Sequence, residues 1–203
     1  VSKIINILID ELPNTVKIDN EEYKINSGFR ESILFELMMQ DTSISEEDKI
    51  IQALELYYPI LPKNINEAIE KILWFYRCGK DEVETKNKGT GKSTQIYSYN
   101  FDDDLIYSAF LDQYGVDLQD VNYLHWWKFK AMFKALKEDN EIVKIMEYRA
   151  MDVNKDKDKE QKAYYTKMKE LYKIPSNISK GEKEKLNEIE EILLNGGDLS
   201  KVL

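Results

Sequence analysis

The sequence is poor in the residues that build most catalytic and metal sites. Its 203 residues include one cysteine, Cys78, and one histidine, His125. A lone cysteine excludes an intrachain disulfide and a thiolate metal cluster, and one histidine leaves almost nothing from which to assemble a zinc site or a Cys–His pair. Only 8 Gly and 4 Pro are present, too few breakers for a many-stranded sheet rich in turns. No apolar run approaches the ~20 residues of a membrane span. The apolar start of the chain meets Asp10 and Glu11 too soon for a secretory signal. These shortages predict a protein of the cytoplasm, without metal or cofactor and not an enzyme.

Charge and aromatics are plentiful. The net charge is −9, which repels phosphate backbones, and no segment is basic enough to reverse that. We therefore expect no nucleic-acid partner. The Lys- and Tyr-rich stretch 155–173 reads as an amphipathic helix with Glu–Lys pairing. There are 13 Tyr, 7 Phe and 3 Trp, and their placement follows helical periodicity through most of the chain. The exception is the start, where Thr15–Ile18 and Tyr23–Asn26 alternate around Asp19–Glu22 and predict a hairpin.

Eight helices follow by pattern. Ser27 and Gly28 open the first, with Phe29, Ile33, Leu34 and Leu37 on one face. Ser45 caps the second, which carries Ile50, Ile51, Leu54 and Tyr58 before Pro59 and Pro62. Asn66 is the expected cap of a third through Ile69, Ile72, Leu73 and Tyr76, stopped near Gly79. Asp102, Asp103 and Asp104 begin a fourth, with Leu105, Ile106, Ala109 and Phe110, ended by Gly115. Consecutive aspartates diverge by about 100° on a helix, so they suit a helix N-terminus better than one metal ion. Tyr123–Lys137 is apolar on nearly every side except the Lys130, Lys134, Lys137 stripe. It should be the buried centre of the C-terminal half, with Trp126, Trp127, Phe129 and Phe133 as an aromatic core and His125 a satisfied core histidine. Helices near 139–150, 157–173 and 180–195 complete the expectation. In the last, Leu186, Ile189 and Leu193 form one narrow stripe, a candidate partner-binding surface on a detachable helix.

The resulting prediction is a mainly α protein, an N-terminal β-hairpin followed by a bundle of about seven to eight helices. Its parts are the hairpin plus helices over 1–79, a variable polar linker over 80–97, a helical half over 98–175, and the detachable helix within 176–203. Within the linker, Lys88–Thr94 spells Lys-Gly-Thr-Gly-Lys-Ser-Thr, half of a phosphate loop. The first glycine of that motif should stand at position 86, which is Lys86, and no buried strand precedes it. We read it as linker.

Several blocks carry a resemblance. Leu12, Pro13 and Val16 lead to Ile18, Asp19 and Tyr23, then Ile25, Asn26, Phe29 and Arg30. Tyr97 precedes Phe101, Asp102, Asp104, Ile106 and Tyr107. Further blocks are Phe110 with Tyr114–Leu118, Leu124–Trp127 with Phe129, Ile145 with Tyr148 and Arg149, Asp158–Glu160, and Tyr165, Met168, Lys169, Tyr172 and Pro175. Together, over roughly 10–175, they resemble the phage gene-product-fifteen family of tail-module proteins from phages and prophages of Gram-positive bacteria. The resemblance implies a product made between the major tail protein and the tape measure, in the position of tail assembly chaperones. Its implied partners are the tape measure protein, the major tail protein or the preceding tail chaperone, with self-association possible. It also implies a role in the host cytoplasm and absence from the mature virion. The alternative is a structural component retained in the tail or head–tail junction.

Overall fold

The computed structural model describes residues 5–80, 95–153 and 158–175. The chain divides into one compact unit ending at Lys173 and a second beginning at Ile174. The hairpin and all the helices named below belong to the first unit.

The hairpin pairs β1 (Thr15–Ile18) antiparallel with β2 (Glu21–Lys24), Ile18 opposite Glu21. The turn is therefore the two residues Asp19 and Asn20, both at positive φ (50° and 65°), tighter than the four-residue turn expected from sequence. Short polar side chains tolerate that backbone, and its twist matches the strands. Val16, Ile18 and Ile25 face inward and are buried. The tip is fixed: Asp19 N donates to Glu67 Oε2 at 2.9 Å, and Asn64 Nδ2 donates to Asp19 Oδ1 at 2.9 Å.

Among the described residues seven helices follow, so the mainly α reading with an N-terminal hairpin holds. They are α1 (Phe29–Gln40), α2 (Glu46–Tyr57), α3 (Ile65–Tyr76), α4 (Asp103–Tyr114), α5 (Trp126–Lys134), α6 (Glu141–Ala150) and α7 (Lys159–Leu171). None is long and apolar enough to cross a membrane.

Ser45 caps α2 as expected, accepting from Asp48 N at 3.1 Å. The cap of α3 is Asn64, accepting from Glu67 N at 3.2 Å, two residues before the expected Asn66. The buried faces of α1 and α2 also differ from expectation. In α1 the inward residues are Phe29, Ser32, Phe35 and Met38, while Leu34 is exposed. In α2 Lys49, Ala53, Leu54 and Tyr57 turn inward, followed by Tyr58, and Ile50 and Ile51 remain exposed. A buried lysine displaces the isoleucines because its ammonium reaches Met39 O at 3.3 Å and Glu46 Oε1 at 2.9 Å while its stem fills the α1–α2 joint.

α3 stops where Cys78 and Gly79 adopt positive φ. At Gly79 a side chain is excluded twice, by the backbone and by Trp127, whose ring would lie 2.8 Å from an added Cβ. Gly115, also left-handed, ends α4 and donates to Leu111 O at 3.0 Å.

α5 is shorter than the expected Tyr123–Lys137. His125 caps it, its Nδ1 accepting from Trp127 N at 3.0 Å. Just before it, Gly28 and His125 form an antiparallel bridge: Phe29 N donates to Leu124 O and Trp126 N to Ser27 O, both at 2.9 Å. At the other end Gln113 takes over, accepting from Lys137 N and donating to Ala135 O. Neighbouring polar groups thus end the helix before its apolar pattern runs out.

Candidate partner-binding surface

The four aromatics singled out on α5 all lie inside. Trp126 and Phe129 are 0% exposed, and Trp127 and Phe133 are nearly as buried. Phe129 is the hub, stacked on Phe110 of α4 at 4.9 Å, Phe29 of α1 at 5.1 Å and Trp126 at 5.7 Å between ring centres. Both indoles tie α5 to the end of α3: Trp126 Nε1 donates to Tyr76 O at 2.9 Å and Trp127 Nε1 to Phe75 O at 2.8 Å. Buried indole N–H groups need such partners, and here they also terminate the α3 carbonyl ladder. The cluster is core, with no surface to offer a ligand. The stripe on Leu186, Ile189 and Leu193, and the Lys88–Thr94 stretch, lie outside the described residues.

His125 sits in this core with both ring nitrogens used. Nδ1 accepts from the backbone, so Nε2 carries the proton and donates to Pro13 O at 3.1 Å, 112 residues away. Burial lowers its pKa, the Pro13 carbonyl opposing and Lys128 adding slightly. The imidazole is neutral and serves as a clip.

Two arginines act likewise. Arg149, 3% exposed, grips Asp102 through both carboxylate oxygens at 2.7 and 2.9 Å. It also donates to Ile96 O at 3.1 Å and Tyr172 O at 2.6 Å, and Asp102 Oδ2 accepts from Ser98 N at 2.8 Å. This one pair joins the segment before α4, the start of α4, the end of α6 and the end of α7. Four of the five Arg149 N–H groups and both Asp102 oxygens are hydrogen-bonded, which is the kind of satisfaction that lets a buried ion pair be tolerated. Arg30 packs over the Phe29 ring and donates to the carbonyls of Leu118, Gln119 and Val121. Asn26 Nδ2 donates to Leu56 O at 2.8 Å.

A third seam lies between α1, α3 and α5. Tyr76 donates a hydrogen bond to Glu36, and Lys130 stands over the Trp126 ring at 5.1 Å and beside the Tyr97 hydroxyl. Lys130 is thus half-buried among aromatics, whereas Lys134 and Lys137 of the predicted stripe are exposed. The Tyr99 hydroxyl is buried with no hydrogen-bond partner among the described residues. Desolvation raises Tyr76 and Tyr99 far above the ordinary tyrosine value and pushes Tyr97 up to about 12; it also raises the Cys78 thiol. All four stay protonated at neutral pH. No group of acids, histidines and cysteines suited to a metal occurs among the described residues.

Two clefts stand out among the described residues. One, of about 400 Å³, runs from the hairpin end to the start of α1, and its polar lining includes Asn26 and Arg30, both committed to backbone carbonyls. The other, of about 330 Å³, is the groove between α1 and α2, lined by Leu34, Leu37, Met38 and Leu56 with Asp41 and Gln52 at its edge. Nothing within the described residues fills it, and Leu34 is 55% exposed. Reading Phe29, Ile33, Leu34 and Leu37 as one inward face missed this groove. The signal was in the sequence: α1 has apolar residues at seven of its twelve positions, too many for a single buried stripe.

The family profile described as Bacteriophage Gp15 protein matches residues 8–174. The chain belongs to that family. No curated protein and no solved structure matches it. The Gp15 match runs through the hairpin and all seven helices, and the blocks that carry the resemblance now have physical roles. Asn26, Arg30, Asp102, His125 and Arg149 each hold separate segments together, so at these positions the pattern records how the fold is fastened.

Proposed function

We propose that this Gp15 family member is a tail assembly chaperone, a binding protein without catalytic activity that holds the tape measure protein, tail-tube subunits or both. It would act in the cytoplasm of the infected bacterium and leave before the virion matures. Family membership over residues 8–174 is the observation that carries this reading. The surface is in keeping with it: an open apolar groove on a body whose α5 aromatics are spent on packing suits capture of an amphipathic helix. A long tape measure exposes such helical faces during assembly and gains from being covered.

Co-expression with the tape measure protein of the same genome is the direct test. The tape measure should stay soluble and co-purify on tagged chaperone, while purified mature particles should lack the chain by mass spectrometry. Recovery of the chain from particles at tail stoichiometry would instead favour a retained structural component.

A further inference from the structure

The groove between α1 and α2 has a chemistry of its own. Its floor is apolar, made of Leu34, Leu37, Met38 and Leu56. Its surroundings are acidic: from Phe29 to Tyr58 the chain carries seven acids and only two cations, Arg30 and Lys49. Both cations are consumed internally, Arg30 by three backbone carbonyls and the buried Lys49 by Glu46 and Met39 O. Asp48 and Glu55 of α2 therefore face solvent with both cations of the segment spent elsewhere. Asp48, Gln52 and Leu56 follow at four-residue spacing and share one ridge, with Glu55 beside it, so two exposed carboxylates flank the groove along α2.

We infer that this groove takes a basic amphipathic helix. The helix lays an apolar stripe, spaced i, i+3, i+7, between Leu34 and Leu56, and its flanking Lys or Arg side chains meet Asp48 and Glu55. Burial of the stripe supplies affinity, and the acidic rim chooses partners and their orientation. An acidic or neutral helix of equal hydrophobicity is disfavoured by the same rim. The inference rests on the chaperone reading in one respect: it assigns the groove to a basic segment of the tape measure.

The experiment uses the full chain and overlapping fragments of about 25 residues, several helical turns each, spanning the tape measure protein of the same genome. Binding is followed by fluorescence anisotropy at low and high salt. The fragments that bind should be basic and amphipathic, and added salt should weaken them. Leu34→Lys, at an already exposed position, should weaken binding about tenfold or more, the loss of one aliphatic anchor. Glu55→Lys should weaken it about threefold, the scale of a rim charge. Leu171→Lys, at an exposed leucine of α7, should change nothing; circular-dichroism melts of all three variants should match the parent. Tight binding of tape-measure fragments that survives both groove variants, or that prefers acidic fragments, overturns the groove assignment and leaves the chaperone reading standing. Failure of every fragment and of the intact tape measure to bind overturns both. A parent chain that self-associates in light scattering and is rendered monomeric by Leu34→Lys makes the groove an interface between copies and also overturns the assignment.

Discussion

α5 and α7 are adjacent in kind but opposite in how they are held. The nine residues of α5 include four buried aromatics, with both indoles bonded to α3. The thirteen residues of α7 include no buried side chain. α7 is attached by its ends and by rings: Tyr172 stacks on Tyr148 at 5.8 Å and lends its carbonyl to Arg149, Lys169 reaches Met151 O at 2.9 Å, and Tyr164 meets Tyr148 edge-on. Helical propensity runs the other way, since Lys, Glu and Ala favour α7 while Trp and Phe disfavour α5. Tertiary burial makes the shorter, intrinsically poorer helix the fixed one.

The contrast should appear first in stability. Phe129→Ala removes the ring shared by three helices and is expected to cost about 4 kcal/mol, read as a fall in the denaturant midpoint with an unchanged slope. A loss below about 1 kcal/mol would mean that the stack is not the centre of the fold. Next in size is Asp102→Asn, which strands the buried Arg149 charge and should cost about 3 kcal/mol. Because Arg149 also holds Tyr172 O, this variant should speed hydrogen exchange in α7 more than in α5; equal acceleration would show the pair to be a general core feature.

A smaller effect follows from His125. Its pKa is lowered in the folded protein, so the unfolded chain binds the extra proton first as pH falls. The contribution is fully present above the ordinary value of 6.5 and is lost as pH drops through the lowered folded value. Protonation would also place a hydrogen between Nδ1 and the Trp127 N–H and cancel the cap, an effect of about 1 kcal/mol. The midpoint should therefore fall between neutral and mildly acidic pH in the parent, and fall less in His125→Asn, which caps without titrating. The smallest expectation is Leu171→Ala on α7, within about 0.5 kcal/mol of the parent.

The sequence made the hairpin, the order of the helices and the aromatic centre legible, because each depends on local pattern: alternation in Thr15–Ile18, a serine before three acids at Ser45, and four aromatics within eight residues over Trp126–Phe133. It did not reveal the orientation of α1 and α2. Lys49 reads as a surface residue until Met39 O and Glu46 are seen beside its ammonium, and Ile50 and Ile51 then lose the inward place that hydrophobicity alone would grant them. The ends of α5 were hidden for a similar reason. His125 caps it locally with a ring oriented by the distant Pro13 carbonyl, Gln113 ends it through tertiary position, and no spacing rule relates Gln113 to Lys137. Arg149 and Asp102 were visible as letters within the resemblance, yet their pairing joins elements whose approach only the fold supplies.

The bridge between Gly28 and His125 has a consequence for how the protein is made and cut. The first amides of α1 and α5 are completed by carbonyls from each other's leading strand. Neither helix has a finished start until segments from the two halves of the chain have met. Such a joint raises contact order and delays commitment, because the intervening chain must close before the bond can form. During synthesis, the portion through α3 should leave the ribosome with Phe29 N and Ser27 O still hydrated, and consolidate only after Trp126 has emerged. A separately expressed fragment beginning near residue 95 would lack the carbonyl that receives Trp126 N and the Pro13 carbonyl that orients His125. Supplying residues 1–80 in trans should restore both, making the two pieces a complementation pair rather than two independent domains.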